Sequence, residues 1–267
     1  MKISIVTISY NQVRFLEQAI CSVLEQDYPD IEYIVVDPGS TDGSLDIIEK
    51  YRNRIAKVIL EPDSGPADGL NKGFSFASGE ILGYINSDDH YLPSALKKII
   101  RYFQVHPASD VVSGNAHVIN ADNEILRYTY SDKYSLLGCA YGYSNLIQPS
   151  SFFRAEAFYK TRGFNIDNHS NWDGELFVDM KLNNAKFSRI NEFLSAYRIY
   201  QTNITGSGNF HEKIMAYSDR RFSKIMGRKR AIIDDYFDLI FRLYRYVTNP
   251  RDLLQRIRFG PIYARYS

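Results

Sequence analysis

The fold follows from one stretch of sequence, Gly83-Tyr84-Ile85-Asn86-Ser87-Asp88-Asp89-His90-Tyr91. The apolar residues 81–85 predict a short buried strand, which ends at two adjacent carboxylates. In open α/β sheets, ligands bind at the carboxyl ends of the strands. Because neighbouring carboxylates repel each other, a cation is expected nearby, and a divalent metal shared with water and substrate phosphates meets that need. Taken alone, the pair is explained equally well by a solvated turn.

The first third of the chain alternates strands with helices, which predicts right-handed crossovers and a mostly parallel, Rossmann-like α/β sheet flanked by helices. The early strands are predicted at residues 2–8, 31–36, 56–60 and 81–85, and the early helices at 14–25, 45–51, 67–78 and 93–106. Later strands are predicted at 110–113, 116–119, 124–128, 150–153 and within 185–200, and later helices at 156–161 and 171–183. From about residue 210 the pattern is helical, with interruptions at Asn249-Pro250 and Gly260-Pro261.

The composition fits one large α/β domain with a tail. The chain has 267 residues, of which 45% are hydrophobic. Cys21 and Cys139 lack metal-type spacing and are expected to be free thiols, which favours a reducing compartment. The first residues lack a signal-peptide pattern, and no apolar run approaches the roughly 18 residues that span a bilayer. The net charge of +1 gives no general case for nucleic acid.

Positive charge is concentrated at the C-terminus. From Glu212 onward there are 13 Lys or Arg against 6 Asp or Glu, a net charge of +7, whereas residues 1–211 carry −6. Bases and aromatic residues alternate at near-helical spacing, as in Phe241–Tyr246. Such a segment can lie on an anionic membrane surface, although a helical cap with basic outer faces explains the same pattern. Single-stranded nucleic acid binding uses a similar composition, but nothing in the rest of the chain supports it.

Polar clusters follow three of the predicted strands, at residues 7–11, 37–44 and 86–89. Parallel strands would bring all three to one edge of the sheet. Asp37 could there accept hydrogen bonds from a nucleobase or a ribose hydroxyl, and a role in the turn is the alternative. Residues 40–44 could equally cap the following helix.

These motifs resemble those of the family-2 glycosyltransferases, which have the GT-A fold. Four segments occur in the order and spacing of that family, at residues 5–11, 35–44, 68–73 and 86–89. Each is weak alone, and their order makes the match strong. A looser resemblance continues through residues 148–154, 163–165, 172–176 and 196–198, so it covers roughly residues 1–205 and excludes the tail.

The resemblance implies an inverting transferase that moves a sugar from a nucleotide-diphosphate donor to a hydroxyl of a glycan or lipid-linked glycan. UDP is expected from family frequency, and the pathway would be surface polysaccharide or glycoconjugate synthesis. The expected location is cytoplasmic, with a peripheral position on the inner face of the membrane as an option. Two alternatives remain: a non-catalytic sugar-nucleotide-binding protein, and a sugar-nucleotide nucleotidyltransferase. The latter would be expected to carry a Gly-rich basic loop after the first strand, which is not found here.

The resemblance also implies a division of the chain. Residues 1–209 would form the GT-A catalytic domain, with a nucleotide-sugar-binding half at 1–113 and an acceptor half at 114–209. Residues 210–267 would form a basic, aromatic-rich helical extension. The oligomeric state is left open by the sequence.

Individual residues receive roles from the same resemblance. Asp88 would bind a divalent metal, Mn²⁺ or Mg²⁺, on the diphosphate. Asp173 would be the catalytic base, with Glu175 as the alternative, because an inverting displacement needs a carboxylate to accept the proton of the acceptor hydroxyl. Two residues apart on a helix start, these acids do not share a face, and helix-dipole complementarity explains both without catalysis. The residues expected to bind the nucleotide sugar are Thr7, Ser9, Tyr10, Asn11, Asp37, Asp68, Lys72, Asn86, Ser87 and Asp88.

Three positions depart from the family pattern. Asn86 stands where the first Asp is usual, Leu70 where an Arg is frequent, and Tyr200 where relatives often have a His that can bind metal. Asp88 would then be the single protein ligand of the metal. His169 and His211 could substitute, although a lone histidine is more often structural.

Overall fold

The structure, a computed structural model, describes residues 1–144, 146–169, 171–200 and 211–260, and for residues 211–216 the backbone only. Within these residues nine strands form one sheet. The strands are β1 Ile3–Ile8, β2 Ile31–Val36, β3 Lys57–Ile59, β4 Ile81–Asn86, β5 His90–Tyr91, β6 Val111–Ile119, β7 Ile125–Thr129, β8 Ser151–Arg154 and β9 Phe187–Arg198. The helices are α1 Val13–Leu24, α2 Ser44–Lys50, α3 Pro66–Ser75, α4 Ala95–Val105, α5 Leu136–Ala140, α6 Ala155–Tyr159, α7 Trp172–Leu182, α8 His211–Met226, α9 Ile232–Thr248 and α10 Pro250–Phe259.

The sheet has a parallel half and a mixed half. Its order is β3-β2-β1-β4-β8-β6-β9-β5, and β7 pairs with β6. Strands β1 to β4 are parallel, β8 is antiparallel to both β4 and β6, and β9 runs parallel to β6. The predicted α/β class with a Rossmann-like parallel sheet and flanking helices is confirmed, and the sheet beyond β4 is more mixed than the prediction implied.

Both faces of the parallel half are buried, which explains its continuous apolar strands. In β1, Ile5 belongs to a core cluster with Leu16 of α1, whereas its neighbour Val6 belongs to a second cluster with Phe74 of α3. All four side chains are at most 1% exposed. The period of two along the strand therefore assigns alternate residues to two different cores.

Helix α3 lies close against the sheet because Gly73 has no side chain. A Cβ atom there would lie 2.5 Å from Cγ1 of Val6 and 3.2 Å from Cγ2 of Val36. This close approach fixes the depth of α3 and of the loop that leads into it.

Strands β1, β2 and β4 end level with one another. Ile8 pairs with Val36 on one side and with Asn86 on the other. The loops that follow these strands therefore meet at one edge of the sheet, as the sequence predicts.

The structure differs from the predicted elements mainly in the second half. Where two strands were expected at 110–113 and 116–119, β6 is one strand whose pairing with β9 shifts register between Ser113 and Ala116. Gly114 does not turn the chain; it makes room for Leu194, whose Cδ1 would lie 2.5 Å from a Cβ. The predicted boundary between residues 113 and 114 falls inside this strand, and the division into domains and halves stays a prediction.

The C-terminal segment is helical, as predicted. The break between α9 and α10 falls at the predicted Asn249-Pro250, and α10 ends before Gly260. A further break, between α8 and α9, was not predicted; Gly227 there has a φ of 67°, which glycine adopts at little cost. Among the residues described, no helix is both long and apolar enough to cross a bilayer.

Candidate active site

A cavity of about 820 Å³ opens at the carboxyl ends of β1 and β4. Its walls come from the loops after these strands, the loop before α3, residues 144–149, the start of α7 and helix α8. The predicted site residues that line it are Ser9, Tyr10, Asn86, Ser87, Asp88 and Asp173. Segments far apart in sequence thus converge on one concave surface.

The charges that line the cavity are unequal. Four carboxylates contribute to the wall, those of Asp63, Asp88, Asp89 and Asp173. Among the lining residues that the structure describes, Arg221 of α8 is the single Lys or Arg. Acidic groups held together in this way favour a ligand that brings a cation, or a carboxyl group that keeps its proton.

The two carboxylates after β4 have different surroundings. Asp89 is buried, and its Oδ1 accepts a 2.8 Å hydrogen bond from the backbone N–H of Arg198. The Nε of Arg198 donates to the backbone carbonyl of Asp88 at 2.7 Å. Burial, with the adjacent Asp88, raises the pKa of Asp89 well above its usual range. The Tyr200 hydroxyl lies 3.3 Å from Oδ2 of Asp88. Both acids line the cavity, but Asp89 is buried in its wall and held by Arg198, whereas Asp88 is the more exposed of the two.

Several buried polar atoms of the cavity-lining residues have no hydrogen-bond partner among the described residues, and two of them, Oγ of Ser9 and Oδ1 of Asn86, lie just after β1 and at the end of β4. The Asn86 amide nitrogen donates to Oε1 of Gln148 at 3.3 Å, which orients the amide. A buried acceptor left unsatisfied costs about 1–3 kcal/mol, so these atoms indicate a polar ligand. Ser87 lines the same wall.

Asp37 and Asn11 tie together the loops after β1 and β2 and do not line the cavity. Asp37 accepts from the backbone N–H groups of Gly39 at 3.0 Å and Ser40 at 2.7 Å, and from the Ser40 hydroxyl at 2.7 Å. Ser40 Oγ in turn accepts from the Asn11 N–H at 2.8 Å, and Oδ1 of Asn11 accepts from the Thr41 N–H at 2.8 Å. These bonds shape the loops, and contact of either residue with a nucleotide stays a prediction.

Three other predicted binding residues also lie outside the cavity wall. Thr7 is buried in the sheet, where its Oγ accepts from the Tyr33 hydroxyl at 3.0 Å. Oδ2 of Asp68 accepts from the Ser64 N–H at 2.9 Å and lies 3.3 Å from Nζ of Lys72. The contacts of Asp68 hold the loop before α3, and a role for the three residues in donor binding stays a prediction.

The two acids at the start of α7 face different spaces. Asp173 lines the main cavity, and burial raises its pKa. Glu175 lines a separate cavity of about 260 Å³. Its carboxylate accepts from the side-chain amides of Asn165 at 3.1 Å and Asn168 at 2.7 Å, and lies 3.7 Å from Nζ of Lys224. Of the two, Asp173 is the one that could touch a ligand in the main cavity.

Three ionisable side chains are prominent among the lining residues that the sequence did not assign to the site. Asp63 lies in the loop after β3, which was a polar strand-end signal available from the sequence; burial raises its pKa. Tyr200 was noted only as a replacement for His, yet it contacts Asp88. Arg221 lies beyond the motifs, and the sequence assigned it only to the basic, aromatic-rich C-terminal segment. Its Nε is buried without a hydrogen-bond partner among the described residues.

The protein ligands available for a metal are few. Among the residues described, no three His, Cys, Asp or Glu side chains are grouped so as to hold an ion. His169 lines the smaller cavity, and the side chain of His211 lies outside the described residues. The donor set therefore suits a metal carried mainly by phosphate oxygens and water, with Asp88 as its protein ligand, and does not suit an all-protein site.

Residues 4–166 match the model of the family described as glycosyl transferase family 2. The chain belongs to this family. It is 39% identical over 121 residues to an uncharacterized glycosyltransferase of Nostoc sp., a match that covers 44% of this chain and 37% of that protein. It is 31% identical over 149 residues to the putative teichuronic acid biosynthesis glycosyltransferase TuaG of Bacillus subtilis, covering 51% of this chain and 59% of TuaG. The matches thus span less than two thirds of either relative.

Solved structures share the fold. The crystal structure of Staphylococcus aureus TarS residues 1–349 in complex with UDP-GlcNAc superposes with a TM-score of 0.69 at 20% identity, covering 97% of this chain and 74% of that one. The mannosyltransferase PcManGT of Pyrobaculum calidifontis, in complex with GDP-Man and Mn²⁺, gives a TM-score of 0.65 at 18% identity, covering 97% and 73%. The expected GT-A-type fold with a helical C-terminal region is confirmed.

Proposed function

We propose that this chain is an inverting glycosyltransferase that transfers a sugar from a nucleotide-diphosphate donor, with UDP as the nucleotide, to a hydroxyl of a glycan or lipid-linked glycan. One observation carries the proposal: Asp88 and Asp173, from motifs far apart in the sequence, line the same cavity. The names of its relatives support the same reaction class, since TarS is a β-N-acetylglucosaminyltransferase and TuaG a glycosyltransferase.

The donor is proposed to bind at the ends of β1 and β4. Ser9 and Asn86 each offer an unpaired buried oxygen there, which can accept from ribose or sugar hydroxyls. Asn86 replaces an acid but keeps an acceptor, and it removes one negative charge from the path of the diphosphate. Asp37 and Asn11 would act by holding the loops that present Ser9 and Tyr10.

The reaction needs a base opposite the leaving group. The acceptor oxygen attacks the anomeric carbon and forms the new C–O bond, while the bond from that carbon to the diphosphate oxygen breaks and its electron pair leaves with the nucleotide. The acceptor proton passes to Asp173. Because burial raises the pKa of this carboxyl, its basicity exceeds that of an exposed aspartate, which suits proton transfer near neutral pH.

The departing diphosphate needs compensating positive charge. A divalent metal, Mn²⁺ or Mg²⁺, would supply it by binding the phosphate oxygens, with Asp88 as the protein ligand. Arg221 is proposed to add a fixed positive charge to the cavity, which offsets part of its acidic lining.

A cytoplasmic setting is proposed, at the inner face of the membrane, with a surface polymer as the acceptor. Support comes from Cys21 and Cys139, which are free thiols, and from the names of TuaG and TarS, which refer to teichuronic acid and poly(ribitol-phosphate).

A panel of UDP- and GDP-sugars, with and without Mn²⁺, tests the proposal through thermal stabilisation and release of the nucleoside diphosphate. A ligand at a hundred times its Kd should stabilise the native state by about 2.7 kcal/mol. We expect at least one donor to stabilise the protein and to be turned over slowly with water as acceptor. Stabilisation without turnover, even with candidate acceptors, would favour the non-catalytic binding protein. Absence of both effects for every donor would refute the proposal.

A further inference from the structure

Helix α9 has one face that packs against the domain. Its Asp234 accepts a 2.8 Å hydrogen bond from the Tyr141 hydroxyl. Its Phe241 ring stacks on Tyr143 with centroids 5.0 Å apart and lies 4.7 Å from Tyr141. Asp234 and Phe241 are seven residues apart, so they define a single inward stripe of the helix.

The opposite face of α9 is apolar and uncovered. At 100° per residue, the residues farthest from Phe241 form one stripe along the helix. Five apolar side chains of this stripe are 57–83% exposed, whereas Tyr246, on the same side of the helix, is partly buried. The members of this stripe, called the α9 outer face, are Ile232, Tyr236, Leu239, Leu243 and Val247. A contiguous apolar surface of this kind indicates a binding partner, since single exposed apolar residues would need no explanation.

The surroundings of the α9 outer face are basic. Most acidic side chains nearby are paired in salt bridges: Asp234 with Arg228 at 2.6 Å, and Asp238 with Arg230 at 2.5 Å. Lys229, just before α9 in the chain, and Arg242, on α9 itself, have no acidic partner among the described residues, whereas Asp235 is the one acidic side chain on the flank of the face. Arg242, next in the chain to Leu243, borders the apolar stripe.

We propose that the α9 outer face docks on an anionic lipid bilayer, with α9 lying parallel to the surface. An amphipathic helix with apolar and tyrosine side chains on one face and unpaired arginine beside it binds at the boundary of headgroups and acyl chains. A second copy of this chain fits less well, because a two-fold contact through this face would bring its net-positive surroundings together. The inference rests on the membrane position in the proposed function and names the surface for it, and it does not depend on the transfer reaction.

Vesicle sedimentation with phosphatidylcholine alone and with a quarter phosphatidylglycerol tests the inference. We expect the wild-type chain to bind the anionic vesicles at low salt and to lose binding as salt rises. Leu239→Ser with Leu243→Ser should weaken the partition at least tenfold, since each change removes buried apolar area. Arg242→Gln should weaken it about fivefold, and on anionic vesicles only.

The matched control is Val105→Ser at the end of α4, where the side chain is 64% exposed, against 57% for Leu243. It should leave the partition unchanged. Each variant is checked for an unchanged melting temperature and for donor stabilisation, so that a failure of membrane docking is distinguished from a failure of the proposed function. Wild-type chain that stays in the supernatant with anionic vesicles overturns the inference. So does a wild-type dimer in light scattering that the double serine variant converts to a monomer.

Discussion

Replacing Asp173 by Asn removes the proposed base but keeps the hydrogen-bond acceptor that the side chain offers to the backbone. The backbone N–H of Gly174 donates to the Asp173 carboxylate, and an amide oxygen can accept the same bond. The fold and the donor pocket should therefore survive. What is lost is the proton acceptor, and a general base contributes about 10²–10⁴-fold to rate. We expect kcat/KM to fall by that factor, with an unchanged melting temperature and unchanged stabilisation by the donor.

Glu175→Gln is the matched control, because it makes the same chemical change two residues away. Glu175 faces the smaller cavity and accepts from two asparagine amides. A glutamine there keeps one acceptor oxygen, so a loss of about 1 kcal/mol in the free energy of unfolding is expected. Transfer should change less than threefold. The assay is release of the nucleoside diphosphate from the best donor, with water or a glycan as acceptor.

The pH profile gives a second, independent measurement on Asp173. The base works in its ionised form, and burial raises its pKa above the usual value for aspartate. Activity should therefore fall as the pH is lowered through that raised pKa, and the acidic limb should lie at higher pH than an exposed aspartate would give. Asp173→Asn should lack this limb. Near-normal turnover in Asp173→Asn, or a larger loss in Glu175→Gln, would refute the assignment.

Three further changes probe the metal, the cavity cation and the core. Asp88→Ala should abolish the gain in donor affinity that Mn²⁺ gives in calorimetry; an unchanged gain would remove Asp88 as the metal ligand. Arg221→Gln should lower nucleotide release at least tenfold, whereas Arg220→Gln, an exposed neighbour outside the main cavity, should leave it within twofold, and equal effects would contradict a role for the cavity cation. Gly73→Ala should destabilise the fold by about 1–3 kcal/mol in urea unfolding, because the new methyl group would lie 2.5 Å from Cγ1 of Val6; unchanged stability would mean that α3 can shift.

The parallel half of the sheet could be predicted because its signals are local. Strands buried on both faces contain continuous apolar runs, as in Tyr33–Val36 of β2, and the loops between the strands carry Pro, Gly and Asp. Strand β6 was harder to predict from the sequence. Gly114 indicates a break by local rules, whereas in the structure Leu194 packs against it and the strand is continuous. Whether residues 111–119 form one strand or two therefore depends on a residue 80 positions away.

Sequence motifs identify residues near a site but do not distinguish those that face the ligand from those that build the wall. Asp37 and Asp88 both follow a strand of the parallel half, and the resemblance assigned both to the donor. In the structure the Asp37 oxygens are engaged by its own loop, whereas Asp88 faces the cavity. The difference is set by side-chain direction at the end of each strand. Such a direction depends on backbone geometry that the residue type does not encode.

Asp88 and Asp89, directly after β4, show the same dependence on structure between two adjacent residues of one type. In the sequence Asp88 and Asp89 are equivalent neighbours, and the two are distinguished by Arg198, at the end of β9. The backbone N–H of Arg198 binds the Asp89 carboxylate, and its guanidinium binds the backbone carbonyl of Asp88. The Asp89 side chain is thereby held in the cavity wall, and that of Asp88 is left more exposed to the cavity. With Asn86 and Tyr200 in place of an acid and a histidine, the carboxylate of Asp88 remains as the proposed metal ligand. A metal held this weakly by protein should bind only with the donor, so we expect no stabilisation by Mn²⁺ alone and a clear increment when nucleotide is present.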